Sequence, residues 1–223
     1  MGHSLSKLTD TEFLKFTKKI LKNMDTKFDK NMKNFNINLI YKYPSKDECL
    51  QIIYITENIS NQEKIVKHYD KIFKNFYPSI YNETDNIAVK INDILLYYIL
   101  QQKIKFNAPR PLSVCKRYNL KLNIIDVKSA HTPSFPSGHT VQYYGCYLYF
   151  STKYPENKDV YYDNFIKGSN SRVIGGLHFF EDLIQGVILV NQLYYQSEFF
   201  QKHIDEKLLI NPTYEMFYNN IFN

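Results

Sequence analysis

The chain has 223 residues, 44% hydrophobic and 22% charged, the profile of one globular domain long enough to bury a core. This balance excludes disordered, collagen-like and small disulfide-stapled classes. With 28 Lys and Arg against 22 Asp and Glu, the net charge of +6 points to an anionic partner or substrate. Charge alone does not choose among nucleic acid, a membrane surface and a phosphorylated small molecule.

Cys49, Cys115 and Cys146 form neither a C-x-x-C pair nor a zinc spacing with histidine, so they read as free thiols of a reducing compartment. No apolar run reaches the roughly 20 residues that cross a bilayer. The longest runs are residues 94–100 and 143–150, and no transmembrane helix is expected. The start, Met1-Gly2-His3-Ser4-Leu5-Ser6, lacks the apolar stretch of a secretory signal. It fits Met-Gly-x-x-x-Ser, so N-myristoylation of Gly2 and an ordinary or cloning-derived start stand as alternatives. Residues 1–33 carry eight Lys against four Asp and Glu. An arm or helix over residues 1–35 would support a peripheral contact with anionic lipid, or be a solvated face. The expected location is therefore the cytoplasm or the face of a membrane, with the oligomeric state open.

No repeat or linker interrupts the chain, so a single domain is expected, with the arm at 1–35 and the catalytic part at 36–223. Phe13, Phe16, Ile20 and Met24 recur at helical spacing over residues 9–24. Ser45 with Glu48, and Ser60 with Glu63, are capping boxes that predict two further helices. Ile87, Ile91, Leu95, Tyr98 and Gln102 mark a helix over 85–105. An irregular stretch follows over 107–136. Helices are then predicted over 137–154, 154–174 and 181–201, the last apolar nearly all round at 183–190 and so placed in the middle of the bundle. Strand alternation is scarce, and the fold class is all-α.

Three short segments combine basic, histidine and small residues. They are Lys103, six residues, Arg110-Pro111; then Pro136-Ser137-Gly138-His139; then Ser171-Arg172, five residues, His178, three residues, Asp182. Each alone has a bland explanation: a solvated basic surface, a capped turn, a surface His–Asp pair. Their joint occurrence in order makes coincidence a poor account.

Together the segments resemble the signature of the type 2 phosphatidic acid phosphatase superfamily. That superfamily unites soluble acid phosphatases, membrane lipid phosphatases and vanadium-dependent haloperoxidases. The match covers residues 103–182 without a departure, leaving 1–85 and 200–223 outside it. The resemblance implies a helical bundle of that type. It also implies metal-independent hydrolysis of phosphomonoesters or diphosphates, lipid phosphates included, through a phosphohistidine.

The residue types suit that chemistry. A phosphoryl group in transfer spreads negative charge over three oxygens. Lys103, Arg110 and Arg172 supply cations for them, the arginines bidentately. Ser137 and Gly138 at a helix N-terminus would add backbone N–H donors. His178 is the candidate nucleophile, Asp182 its orienting carboxylate, and His139 the acid and then base. The resemblance implies the same roles, with no cofactor for the phosphatase. A haloperoxidase is the alternative: the same cations would hold vanadate and His178 would ligate vanadium. The phosphatase is preferred because little length remains beyond the bundle to elaborate a peroxide and halide site.

His131 could line the pocket mouth, although a loop histidine is more often structural. Lys105 has the wrong spacing to Arg110. Tyr143, Tyr144, Tyr147, Tyr149 and Phe150 suit bundle packing better than recognition of a lipid tail or partner. No nucleic-acid-binding signature is present. The expected partner is a phosphorylated small molecule or lipid phosphate, with selecting walls drawn from the N-terminal half.

Overall fold

The computed structural model describes residues 15, 17–22, 34–76, 85–127 and 132–222. Gly2, most of the 1–35 arm and His131 lie outside these residues. Residues 17–22 are helical, and Ile20 and Leu21 pack against the core.

The described chain is all-α, with no strand among the described residues. Helix α1 (Lys46–Asn58) opens with the expected box: Ser45 N–H donates to Glu48 Oε2 at 2.7 Å, and Glu48 N–H returns to Ser45 Oγ at 3.2 Å. The second box does not form. Helix α2 (Gln62–Phe76) starts after Asn61, whose φ of 60° is one that Asn tolerates. Ser60 and Asn61 are spent on the tight turn from α1, and Glu63 instead pairs with Lys67 one turn on.

Helix α3 (Asn86–Phe106) is capped by Asp85, which accepts from the N–H groups of Ile87 and Ala88 at 3.0 Å. Pro111 begins α4 (Pro111–Arg117), a helix inside the stretch expected to be irregular; a proline at the first helical position has its φ already set. Ser137 caps α5 (Gly138–Lys153). The next helix, α6 (Lys158–Ile174), starts later than predicted because a 3₁₀ turn at Pro155–Asn157 intervenes. The predicted 181–201 helix divides at Ser197, whose extended backbone and side-chain cap end α7 (Phe180–Gln196) and start α8 (Glu198–His203). A short α9 (Tyr214–Tyr218) was not foreseen.

The centre of the bundle is α5 rather than the expected α7. Val141 and all residues of 143–151 are buried, and α5 packs on α3, α6 and α7. Along α7, Ile184 and Ile188 are only half-buried. The α5 tyrosines serve packing, and three of them have partners for their hydroxyls: Tyr143 donates to Tyr69 O at 2.6 Å, Tyr144 to Asn191 Oδ1 at 2.9 Å, and Tyr149 to Asp85 Oδ2 at 2.9 Å. All three cysteines are free and buried. No helix among the described residues is long and apolar enough to cross a membrane.

An extended segment at 34–41 lies along α7. Its Ile37 and Leu39 are buried while Asn36, Asn38 and Ile40 face out. The N–H groups of those three outward residues donate to Gln196 and Gln192 at 2.7 Å and to Gln185 at 3.2 Å.

Gly168 of α6 packs against α5, where an added Cβ would lie 2.5–2.8 Å from three ring atoms of the buried Tyr143. Gly168→Ala gains up to about 1 kcal/mol of helix propensity but forces overpacking that costs about 1–3 kcal/mol. A net fall in the denaturation midpoint is expected, and a raised midpoint would contradict this contact.

Candidate active site

The three segments converge where α3 ends, α5 and α7 begin, and α6 turns toward α7. The turn after α6 uses Gly176 at φ 69°, then delivers His178 just before α7. Asp182 lies in the first turn of α7 and reaches back, its Oδ2 accepting from Phe179 N–H at 3.1 Å. The same oxygen accepts from Ser134 Oγ at 2.5 Å and lies 3.0 Å from His178 Nδ1. The Asp182 backbone oxygen accepts from Ser137 N–H at 2.9 Å, which ties the start of α5 to the start of α7. Gly186 permits that closeness: a Cβ there would sit 3.3 Å from Ser137 O.

The tautomer of His178 follows from its partners. Arg110 Nη1 lies 2.8 Å from His178 Nε2, and a guanidinium can only donate. Nε2 is therefore the acceptor, and Nδ1 carries the proton given to Asp182. Burial, followed by the positive charge of Arg110 and Lys103, holds the His178 pKa well below its ordinary value, so the ring is neutral. Burial pushes Asp182 up to about 6, against the Ser134 and Phe179 hydrogen bonds and the charges of Arg110 and Lys103.

All three predicted cations reach the site. Lys103, 6% exposed in the last turn of α3, donates to the carbonyl oxygen of Pro133 and to that of Ser134 at 3.1 Å. Burial, then Arg110, lowers its pKa. Arg110 also donates to Thr132 O at 2.7 Å, Thr132 Oγ1 at 2.9 Å and Leu177 O at 2.8 Å. Arg172, 1% exposed on α6, donates to Asp70 Oδ1 at 2.7 Å, and its Nη1 lies 3.4 Å from His139 Nε2. Burial and Arg172 pull His139 down to about 4, against Asp70.

One expected donor is occupied: the Ser137 N–H is spent on Asp182 O. The Ser137 hydroxyl accepts from Thr140 Oγ1 at 2.9 Å and keeps its own proton to donate. The N–H groups of Gly138 and His139 belong to the first turn of α5, where a helix leaves its amides without intrahelical partners. Three cations and a helix N-terminus around a neutral histidine make an arrangement that could receive an anion. Among the described residues, no group of three His, Cys, Asp or Glu side chains could hold a metal ion.

Sequence reasoning missed Asp70, Thr132 and Ser134. Asp70 had a signal: on α2 it falls in helical register with the buried Val66 and Phe73, where a carboxylate is out of place unless paired. Thr132 and Ser134 had none, because loop hydroxyls are common and only the fold brings them to Arg110 and Asp182. The weighed Lys105 lies 5.1 Å from the Phe106 ring centroid. A cavity of about 650 Å³ adjoins Arg110, Thr132 and Leu177 and extends past Leu112 and Arg117 to Tyr43. The N-terminal half thus contributes Tyr43 to its wall and Asp70 to the site. A scan against protein-family models and a search of curated proteins found no match to this chain.

Ser134→Ala removes a buried hydrogen bond to a carboxylate and should destabilise the protein by about 1–3 kcal/mol. The loss should be full above about pH 6, where Asp182 is ionised, and shrink as the pH falls. Equal denaturation midpoints for variant and wild type at pH 8 would refute this link.

Proposed function

We propose that the protein is a metal-independent phosphatase of the type 2 phosphatidic acid phosphatase superfamily. It would hydrolyse phosphomonoesters or diphosphates, lipid phosphates among them, through a phosphohistidine. The observation that carries this reading is the state of His178: a neutral ring whose Nδ1–H is held by Asp182 and whose Nε2 lone pair points among the buried cations. A nucleophilic imidazole needs this tautomer.

In the first step the phosphoryl oxygens take the Arg110 donor away from Nε2 and are held by Lys103, Arg110, Arg172 and the Gly138 amide. Nε2 attacks phosphorus in line, the bond to the leaving oxygen breaks, and His139 gives that oxygen a proton. Water then attacks the phosphohistidine, His139 takes the water's proton, and His178 leaves neutral. The two histidines thus work in opposite states. In the empty site His139 sits near 4, so kcat/KM should decline as the pH rises above about 4; a bound dianion raises the pKa, so the decline in kcat should fall at higher pH.

Phosphate release should be detectable with purified protein in EDTA and blocked by vanadate, which mimics the pentacoordinate phosphorus. Substrates labelled in the phosphoryl group should leave an acid-labile label on the wild type and none on His178→Ala. A folded His178→Ala protein with wild-type turnover would sink the nucleophile assignment. His139→Ala should cost about 10²–10⁴ in rate with alkyl phosphates and much less with nitrophenyl phosphate, so equal losses would remove the acid role. Halide oxidation by peroxide after vanadate loading, without phosphate release, would move the reading to a haloperoxidase.

A further inference from the structure

A second cavity, of about 590 Å³, lies where α2 meets α6 and the residues after α9. None of the candidate catalytic or phosphate-binding residues lines it. Its wall is mostly apolar: Ile174 and Ile221 are buried, and Ile65 and Tyr69 are half-buried. The walls are fixed by bonds within the fold. On α2, Tyr69 O accepts the hydroxyl of Tyr143 from α5 at 2.6 Å; on α6, Asn170 Nδ2 donates to Phe217 O of α9 at 2.9 Å. A preformed, largely apolar hollow of this size is the usual shape of a small-molecule site.

Four lysines border the hollow. Lys64, Lys67 and Lys71 follow one another at helical spacing on α2, and Lys167 stands on α6. Two of them are matched by acids on their own helices: Lys67 by Glu63 at 2.5 Å and Lys167 by Asp163 at 2.9 Å. Lys64 and Lys71 are exposed and have no carboxylate partner among the described residues. The edge of the cavity therefore carries a positive surplus, while its interior offers hydrocarbon. A small inorganic anion would gain nothing from the interior, and a cation would be repelled at the edge.

We propose that this cavity binds an amphipathic organic anion, a hydrocarbon chain or ring system that ends in one negatively charged group. The apolar body lies against Ile65, Ile174, Ile221 and the Tyr69 ring. The charged end meets the ammonium groups of Lys64 and Lys71, whose long stems let them close on it from the rim. An ammonium reads charge rather than a planar two-oxygen pattern, so a carboxylate serves here as well as a phosphate. That separates this cavity from the catalytic pocket, where two arginines favour phosphoryl oxygens. The proposal stands independently of the phosphatase reading.

The test uses dodecanoate, below its micelle concentration, titrated into full-length protein by calorimetry. Saturable one-to-one binding that weakens with added salt is expected. Dodecanol, with the chain and no charge, and acetate, with the charge and no chain, should each bind about tenfold more weakly or worse. In isoleucine-methyl NMR spectra, the signals of Ile65, Ile174 and Ile221 should move with dodecanoate. The double variant Lys64→Glu, Lys71→Glu changes only exposed positions and should lose about tenfold in dodecanoate affinity. Ile65→Glu, which puts a carboxylate in the wall, should abolish binding; if that variant does not fold, the lysine variant decides. Unmoved isoleucine methyls, equal affinity for dodecanol, or full affinity in the folded lysine variant would overturn the proposal. So would a protein that ignores dodecanoate but binds phosphatidylglycerol vesicles through the same lysines, which would make this face a membrane contact.

Discussion

The site depends on one buried carboxylate. Asp182 accepts from Ser134, His178 and Phe179 through its side chain and from Ser137 through its backbone oxygen. Those four links join the 132–137 loop, the start of α5, the turn after α6 and the start of α7. A charge out of water is tolerable only when it is hydrogen-bonded, and here one carboxylate oxygen, Oδ2, is met by three groups that must each be in place. Local geometry therefore becomes cooperative: the ring orientation, the loop that meets Lys103 and the helix start that offers amides are fixed together.

The same crowding leaves an electrostatic surplus. Lys103, Arg110 and Arg172 are drawn into the protein against two carboxylates, Asp70 and Asp182, with both histidines disfavoured as cations. The carbonyl oxygens of Pro133, Ser134, Thr132 and Leu177 hold the lysine and one arginine in the meantime. These dipoles fix where the donors stand, so that under the proposed phosphatase reading an anion would meet cations already gathered in one place. Part of the +6 read from the sequence is thus an internal charge, concentrated where water is scarce.

Much of this was legible in the residues. The all-α class followed from periodicity, and the predicted cations and histidines do meet, because turn and cap residues such as Pro111, Ser137 and Asp182 act locally. Failures arose where a local signal had a competitor. Ser60 carried a capping box, but the chain needed that residue and Asn61 to turn out of α1. The apolar 183–190 run pointed to a central helix, yet the tyrosine-rich α5 took the centre because its hydroxyls found partners on three sides. Asp70 and Ser134 are tertiary facts: the Asp70–Arg172 pair spans 102 positions and the Ser134–Asp182 pair 48, and no short pattern encodes either.

The glutamines of α7 show what a polar helix face can be for. Segment 34–41 alternates inward and outward side chains as a β-strand does, yet no strand neighbours it among the described residues. Gln192 and Gln196 each take an N–H of that segment and return an N–H to the carbonyl of the same residue, Asn38 and Asn36, at 2.9 and 3.0 Å. Each side-chain amide thus copies the donor and acceptor of a backbone peptide, and the helix offers a counterfeit sheet edge. Residues on this outer face look freely exchangeable by polarity, but a glutamate or lysine there would present only half of the required pair. Conservation of hydrophilic character would not suffice; the amide itself is what keeps the strand-like segment closed against the bundle.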